Sequence, residues 1–104
     1  MKIGLDKRNE THIGMKRKEA ERIIKAEKLI SYSFFEDRND TSDEMVIKKI
    51  SGKWIVYATN ERASKIISGE NVYDNEEDAL DNFIERLRAL NNVIRHIENW
   101  RRER

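Results

Sequence analysis

The chain has 104 residues, of which 39% are charged and 38% hydrophobic, and its 21 basic and 20 acidic side chains leave a net charge of +1. This length predicts a single domain with one modest core, and the charge balance argues against a dedicated nucleic-acid binder, which needs a basic excess or a basic face. The absence of cysteine excludes disulfides and thiolate metal sites. No apolar run is long enough for a signal peptide or a membrane span. We therefore expect a soluble cytoplasmic protein with no membrane association.

The first part of the chain predicts a leader followed by a helix. Residues 1–14 mix charges with two glycines and have no sustained periodicity, so we expect a loosely attached leader before a single domain at 15–104. Whether Lys2 to Leu5 forms a short strand stays open. From Met15 to Ile30, apolar residues recur at helical spacing and charged residues fill the other face, which predicts the first helix.

Three strands are predicted next. Ser31 to Phe35 alternates with a period of two, which is typical of a strand. After a polar loop, Met45 to Ile50 and Lys53 to Thr59 are rich in β-branched and aromatic residues, and Ser51-Gly52 between them can turn the chain. These two segments predict a hairpin with one face against helices.

The segment from Asn60 to Ser68 is ambiguous between a helical turn and a strand. We favour a strand at the sheet edge around Lys65 to Ile67, because Ser68-Gly69 follows as a turn. Asp74 or Asn75 then caps a helix whose first turn is acidic, as the helix dipole favours.

The last helix has an apolar seam with alternating steps of three and four residues. Asn91-Asn92 are poor helix formers, so we leave open whether the helix breaks there. The predicted fold class is therefore α+β, with an N-terminal helix, a small antiparallel sheet of three or four strands and a long C-terminal helix, both helices covering one sheet face. The seam residues are Leu80, Phe83, Leu87, Leu90, Ile94 and Ile97.

The sequence offers no assembled catalytic, metal or cofactor site. His12 and His96 are far apart and have no neighbour at a metal-ligand spacing. The run from Asp37 to Glu44 resembles a calcium loop, but its sixth position is Ser42 where glycine is needed, and its twelfth is Lys48 where a bidentate glutamate is needed. Nucleophile elbows and phosphate-binding glycine loops are also missing. We predict that the protein is not an enzyme and uses no cofactor.

Two groups of residues are candidates for binding a partner. One is the acidic loop after the first strand; the other is the aromatic strand that ends in Asn-Glu-Arg, since Trp, Tyr and Arg are frequent interface residues. The alternatives are that the loop is merely solvated and that Trp54 packs under the last helix. The candidate residues are Glu36, Asp37, Asp40, Asp43 and Glu44 in the loop and Trp54, Tyr57, Glu61 and Arg62 at the strand.

The order of helix, strand, hairpin ending GKWIVYATNER, loop and VYDNEEDALDNFIERLRAL resembles the small immunity proteins of bacterial polymorphic-toxin systems. The resemblance covers Met15 to Leu90. It implies a cytosolic α+β domain that binds and neutralises one cognate toxin, often a nuclease, by surface occlusion. The acidic loop would then mimic phosphates toward a basic toxin surface.

A second interpretation is a homodimeric regulatory or nucleic-acid-associated module that pairs through the seam of its last helix. The arginines near the chain end would then contact RNA or DNA. Independently of this interpretation, Trp100 in the charged tail marks a contact surface if it is exposed and holds the tail in place if it is buried.

Overall fold

The computed structural model describes residues 14–102, which form a four-stranded sheet with two helices on one face. The expected leader and the candidate strand at Lys2 to Leu5 lie outside the described residues, except for Gly14, which packs so closely against Glu77 that a side chain would not fit. The predicted α+β class is confirmed. Within residues 14–102 no helix combines the length and apolarity needed to cross a membrane. The elements are α1 (Arg17–Ala26), β1 (Tyr32–Phe34), β2 (Met45–Ile50), β3 (Lys53–Ala58), a 3-10 helix (Ile67–Gly69), β4 (Asn71–Tyr73) and α2 (Glu76–Arg102).

Helix α1 ends earlier than the apolar spacing predicts, at Ala26 rather than Ile30. Lys28 adopts a left-handed conformation, and the N–H groups of Lys28 and Leu29 bond the carbonyls of Lys25 and Ile24. This is the Schellman arrangement that closes helix C-termini. Leu29 is buried just beyond it, so its place in the apolar pattern reflects packing outside the helix.

The sheet has the order β1-β2-β3-β4 and is mixed, so the expectation of a wholly antiparallel sheet is wrong for one pair. β2 pairs antiparallel with β3, and β3 with β4, but β1 runs parallel to β2. Parallel neighbours need a connection that returns along the sheet, and residues 35–44 provide it. We call this segment the crossing loop.

The predicted hairpin is confirmed, and the backbone geometry of its turn explains why Ser51 and Gly52 occupy it. Ser51 and Gly52 both have positive φ angles, 51° and 79°, as a type I′ turn requires. This turn twists in the same sense as the strands and fixes the register in which Ile47 faces Val56.

The predicted edge strand around Lys65 to Ile67 is wrong. Lys65 makes only an isolated bridge to Thr59, and the chain then enters the 3-10 helix, while β4 forms the edge instead. The cause is a local turn in which the side chain of Asn60 accepts hydrogen bonds from the N–H groups of Arg62 and Ser64. The side chain thereby competes with strand pairing.

Helix α2 is one unbroken element of 27 residues, so Asn91-Asn92 do not break it. Its start is as predicted, since Asn75 Oδ1 accepts a hydrogen bond from the N–H of Asp78 at 2.8 Å. Asn91 is buried, and its side chain bonds both backbone groups of Ile30 and the carbonyl of Leu87. Tertiary hydrogen bonds thus outweigh the low helix propensity of asparagine.

One face of the sheet meets both helices, as predicted. Ile47 and Val56 are fully buried there in one cluster with Ile24 of α1 and with Phe83 and Leu87 of α2. Burial of each such side chain stabilises the fold by about 1.5–3 kcal/mol. The apolar faces of both helices are therefore buried within the domain as far as Asn91.

Candidate protein-binding surface

The crossing loop packs over the sheet face opposite the helices. Val46 and Tyr57 are neighbours on that face and are buried, although they lie outside the core cluster formed with α1 and α2. The Tyr57 hydroxyl donates a hydrogen bond of 2.7 Å to Asp40, and the Thr59 hydroxyl donates one of 2.7 Å to the carbonyl of Thr41. The polar loop is therefore part of the fold as well as a surface feature.

Arg38 organises the acidic part of this loop. Its guanidinium donates two hydrogen bonds to Glu44, at 2.9 and 3.1 Å, and one to Glu36 at 2.7 Å. Glu44 is only 3% exposed and also accepts a bond from the N–H of Thr41. Burial acts to raise the pKa of Glu44, but the hydrogen bonds from Arg38 and Thr41 outweigh it and hold the pKa below its usual value.

The same side chains protect the outer edge of β1. Glu36 accepts a hydrogen bond from the N–H of Phe34, and Arg38 donates one to the carbonyl of Tyr32. Exposed edge groups of this kind would otherwise be open to pairing with another chain. Glu36 and Glu44, two of the five predicted acidic contacts, therefore have structural partners within the loop.

Asp40 has structural partners as well. In addition to the Tyr57 hydroxyl, it has Lys48 at 3.4 Å. Burial first, and then the carboxylate of Asp40, raise the pKa of the Tyr57 phenol. Lys65 lies over the Tyr57 ring, 4.6 Å from its centroid, and pairs with Glu70 at 2.9 Å. This cluster fixes the middle of the crossing loop on the sheet.

Five of the predicted contact residues are exposed, namely Glu36, Asp37, Asp43, Glu61 and Arg62, and of these Glu36 is bonded to Arg38. The N–H of Asp43 bonds the carbonyl of Asn60, so the end of the crossing loop lies beside the turn that carries Glu61 and Arg62. We call this pair of segments, residues 41–43 and 60–64, the loop end. Asp37 lies at the opposite end of the crossing loop, where it lines a groove with Ile50.

Trp54 is remote from the loop end, because it lies near the start of β3 and pairs with Tyr73. It is half-buried, and its indole N–H donates a 3.2 Å hydrogen bond to Glu76 at the start of α2. Arg17 also bonds Glu76, and this ion pair lowers the pKa of the carboxyl. Trp54 thus packs under the last helix, as the alternative interpretation has it, and the nine candidate residues do not form one surface.

The distal part of α2, residues 92–102, is a surface that the sequence analysis considered for a homodimer or nucleic acid but did not include among the nine candidate residues. Every residue from Arg95 to Arg102 is exposed. Val93, Ile97 and Trp100 are 56%, 42% and 53% exposed, and they follow one another at steps of four and three residues. The spacing alone could not reveal that Ile97 is exposed, because it stands seven residues after Leu90 in the predicted seam.

Arg38 was also overlooked as a positioning residue. A single arginine within an acidic run is the signal that could have identified it, since an arginine there has carboxylates within reach.

The described residues provide no cluster of side chains suited to binding a metal ion. Among residues 14–102 no group of three or more histidine, cysteine, aspartate or glutamate side chains is arranged to hold an ion. His96 is exposed on the distal helix, and His12 lies outside the described residues.

Comparison with known protein families identifies a matching family. A family model described as Immunity protein 59 matches residues 14–100, which is most of the chain. Searches of curated proteins and of solved structures gave no match.

Proposed function

The chain belongs to the Immunity protein 59 family, and on that basis we propose that it binds one cognate bacterial toxin in the cytoplasm of the producing cell and neutralises it by surface occlusion. The observation that carries the proposal is that the family match spans α1, all four strands and α2 as far as residue 100. The protein would act without cofactor or turnover, as a stoichiometric inhibitor.

The loop end is our candidate for part of the toxin contact. Its exposed carboxylates, Asp43 and Glu61, have no hydrogen-bonded partner within residues 14–102 for their side chains, whereas Glu36, Asp40 and Glu44 are bound internally. In this proposal the three bound carboxylates hold the loop in shape, and the exposed ones face a basic toxin surface such as that of a nuclease.

Pre-ordering of the loop end supports this role. The side chain of Asn60 fixes the turn that contains Ala63, whose φ angle is 64°, and the backbone of Asp43 is held to Asn60 at 3.0 Å. A segment that is already fixed loses little conformational entropy on binding, which favours affinity.

The test is to co-express the chain with the protein encoded immediately upstream of its gene and to measure both co-purification and rescue of growth. A stoichiometric complex and rescue are expected. If the upstream protein is toxic and the chain neither binds it nor rescues growth, the proposal fails.

The contribution of the loop end is tested with the double variant Asp43→Asn, Glu61→Gln. We expect association to be several-fold slower and its dependence on salt to be weaker, because rim charges act mainly on the rate of association. The matched control is Glu21→Gln, Glu85→Gln, which removes two exposed helical carboxylates and should leave association unchanged. Equal rates for both double variants would exclude the loop end from the contact.

A further inference from the structure

The distal part of α2 extends past the body of the domain at the same end as the loop end. Asn91 bonds Ile30, which lies just before β1, and β1 starts opposite Met45, which in turn pairs with Ala58 at the end of β3. Beyond Asn91 the helix continues for about three turns, or roughly 16 Å. The loop end and the distal helix therefore border the same end of the molecule.

The apolar stripe lies on a flank of α2, beside the face that packs on the sheet. Val93 and Trp100 follow Arg86 by seven and fourteen residues, which places all three on one helix face. Arg86 donates a 3.4 Å hydrogen bond to the carbonyl of Val56 in β3. Past the end of the sheet this flank carries the exposed side chains of Val93, Ile97 and Trp100.

The charged residues around this stripe indicate what kind of molecule could bind it. Residues 92–102 contain three arginines, Arg95, Arg101 and Arg102, against the single carboxylate Glu98. Two copies of the helix side by side would bring these like charges together. The arginines also complement the helix dipole at this end, but the dipole does not account for the apolar stripe. Nucleic acid would match the arginines but not the aliphatic residues Val93 and Ile97 between them.

We propose that the distal helix inserts its Val93, Ile97 and Trp100 face into an apolar groove with an acidic rim on the toxin, and that the loop end contacts the same toxin molecule beside it. This inference rests on the proposed function and adds a second contact of opposite charge. Insertion of an amphipathic helix into a groove through residues three and four apart is a common mode of recognition.

The first experiment measures the affinity of two double variants for the purified protein encoded immediately upstream. Val93→Ser, Ile97→Ser should weaken binding about 30-fold or more, as expected for residues at the centre of an interface. The matched control is Val72→Ser, Ile50→Ser, which removes two strand side chains of similar exposure, 57% and 45%, from the far end of the sheet. The control should change affinity less than threefold, and far-UV circular dichroism checks that both variants fold.

The second experiment tests the sign of the charge. Arg101→Glu, Arg102→Glu should slow association at low salt, whereas Lys18→Glu, Arg22→Glu on α1 changes the net charge equally and should have a smaller effect. Hydrogen exchange with and without the upstream protein locates the contact independently of any substitution, and protection across residues 92–102 is expected.

The outcomes separate this inference from the proposed function. If the wild-type chain binds the upstream protein but both serine variants bind equally well, the distal helix is not the contact and this inference alone fails. If the wild-type chain does not bind, the proposed function fails as well. A dimer in sedimentation velocity that Val93→Ser, Ile97→Ser abolishes would assign the stripe to a second copy and overturn the inference. Binding of a 20-base-pair DNA duplex that Arg101→Glu, Arg102→Glu abolishes would likewise overturn it.

Discussion

Asn91 is expected to contribute more to stability than its neighbour Asn92, although both stand side by side in the same helix. The Oδ1 atom of Asn91 accepts a 2.9 Å hydrogen bond from the N–H of Ile30, and its Nδ2 donates bonds of 3.0 and 2.9 Å to the carbonyls of Ile30 and Leu87. Asn92 is exposed and makes only a 3.5 Å contact with Arg95. Replacing each asparagine by alanine isolates the three bonds.

The magnitude follows from the bonds that are lost. Each buried hydrogen bond contributes about 1 kcal/mol net, so Asn91→Ala loses about 3 kcal/mol, and the better helix propensity of alanine offsets about 0.6 kcal/mol of this. The expected net loss is about 2 kcal/mol. Asn92→Ala has only the propensity gain and should be neutral or slightly stabilising. Asn91→Asp keeps the size of the side chain but places a carboxylate against two carbonyl oxygens, so its loss should exceed that of Asn91→Ala.

Urea unfolding followed by circular dichroism measures the effect. Asn91→Ala should lower the midpoint by about 1–2 M without changing the slope, while Asn92→Ala leaves the midpoint in place. Equal midpoints for the two alanine variants would refute the claim that Asn91 fixes the segment before β1 to the last helix. A loss for Asn91→Asp smaller than that for Asn91→Ala would show that side-chain volume, rather than hydrogen bonding, sets the stability at this site.

The remaining predictions concern Glu44 and the hairpin turn. Because the folded-state pKa of Glu44 lies below its usual value, the ionised carboxylate stabilises the protein at neutral pH, and this contribution is lost as the pH falls below about 4. Glu44→Gln should therefore lower the urea midpoint at pH 7 and flatten the fall of the midpoint between pH 7 and pH 3. A pH profile of the variant parallel to that of the wild type would contradict this. In the turn, Gly52→Ala should destabilise the protein by about 1 kcal/mol because φ is 79° there, whereas Ser51→Asn should stabilise it slightly because Asn-Gly suits a type I′ turn. Thermal unfolding should show melting temperatures that shift in opposite directions for the two variants, and shifts in the same direction would argue against this turn type.

Much of the fold was predictable because local chemistry and tertiary structure agree. The alternation in Tyr32 to Phe34, the β-branched hairpin strands, the Ser51-Gly52 turn and the Asn75 cap each depend on residues close in sequence, and each is present in the structure. The predicted helical seam also holds as far as Leu87, because burial follows the helical repeat.

For the candidate site, the sequence reveals which residues are charged but not which residues they bind within the domain. Whether Glu44 is a free contact or a buried structural group depends on Arg38, which reaches it only because the crossing loop folds back over the sheet. For the same reason three carboxylates of the loop, those of Glu36, Asp40 and Glu44, are bonded within the domain, whereas Asp37 and Asp43 point to no such partner among residues 14–102. Sequence spacing does not reveal this division.

The sequence by itself determined the α+β class, the hairpin and the helix start, since these follow from periodicity, turn residues and capping within a few positions. Only the tertiary structure decided that β1 is parallel to β2 and that Asn91 sits within an unbroken helix. It also decided that this helix buries Leu80, Phe83 and Leu87 but leaves Val93, Ile97 and Trp100 exposed. The physical reason is that strand direction, the hydrogen bonds of a buried amide and the length of sheet beneath a helix all depend on residues distant in the chain, about which local patterns carry no information.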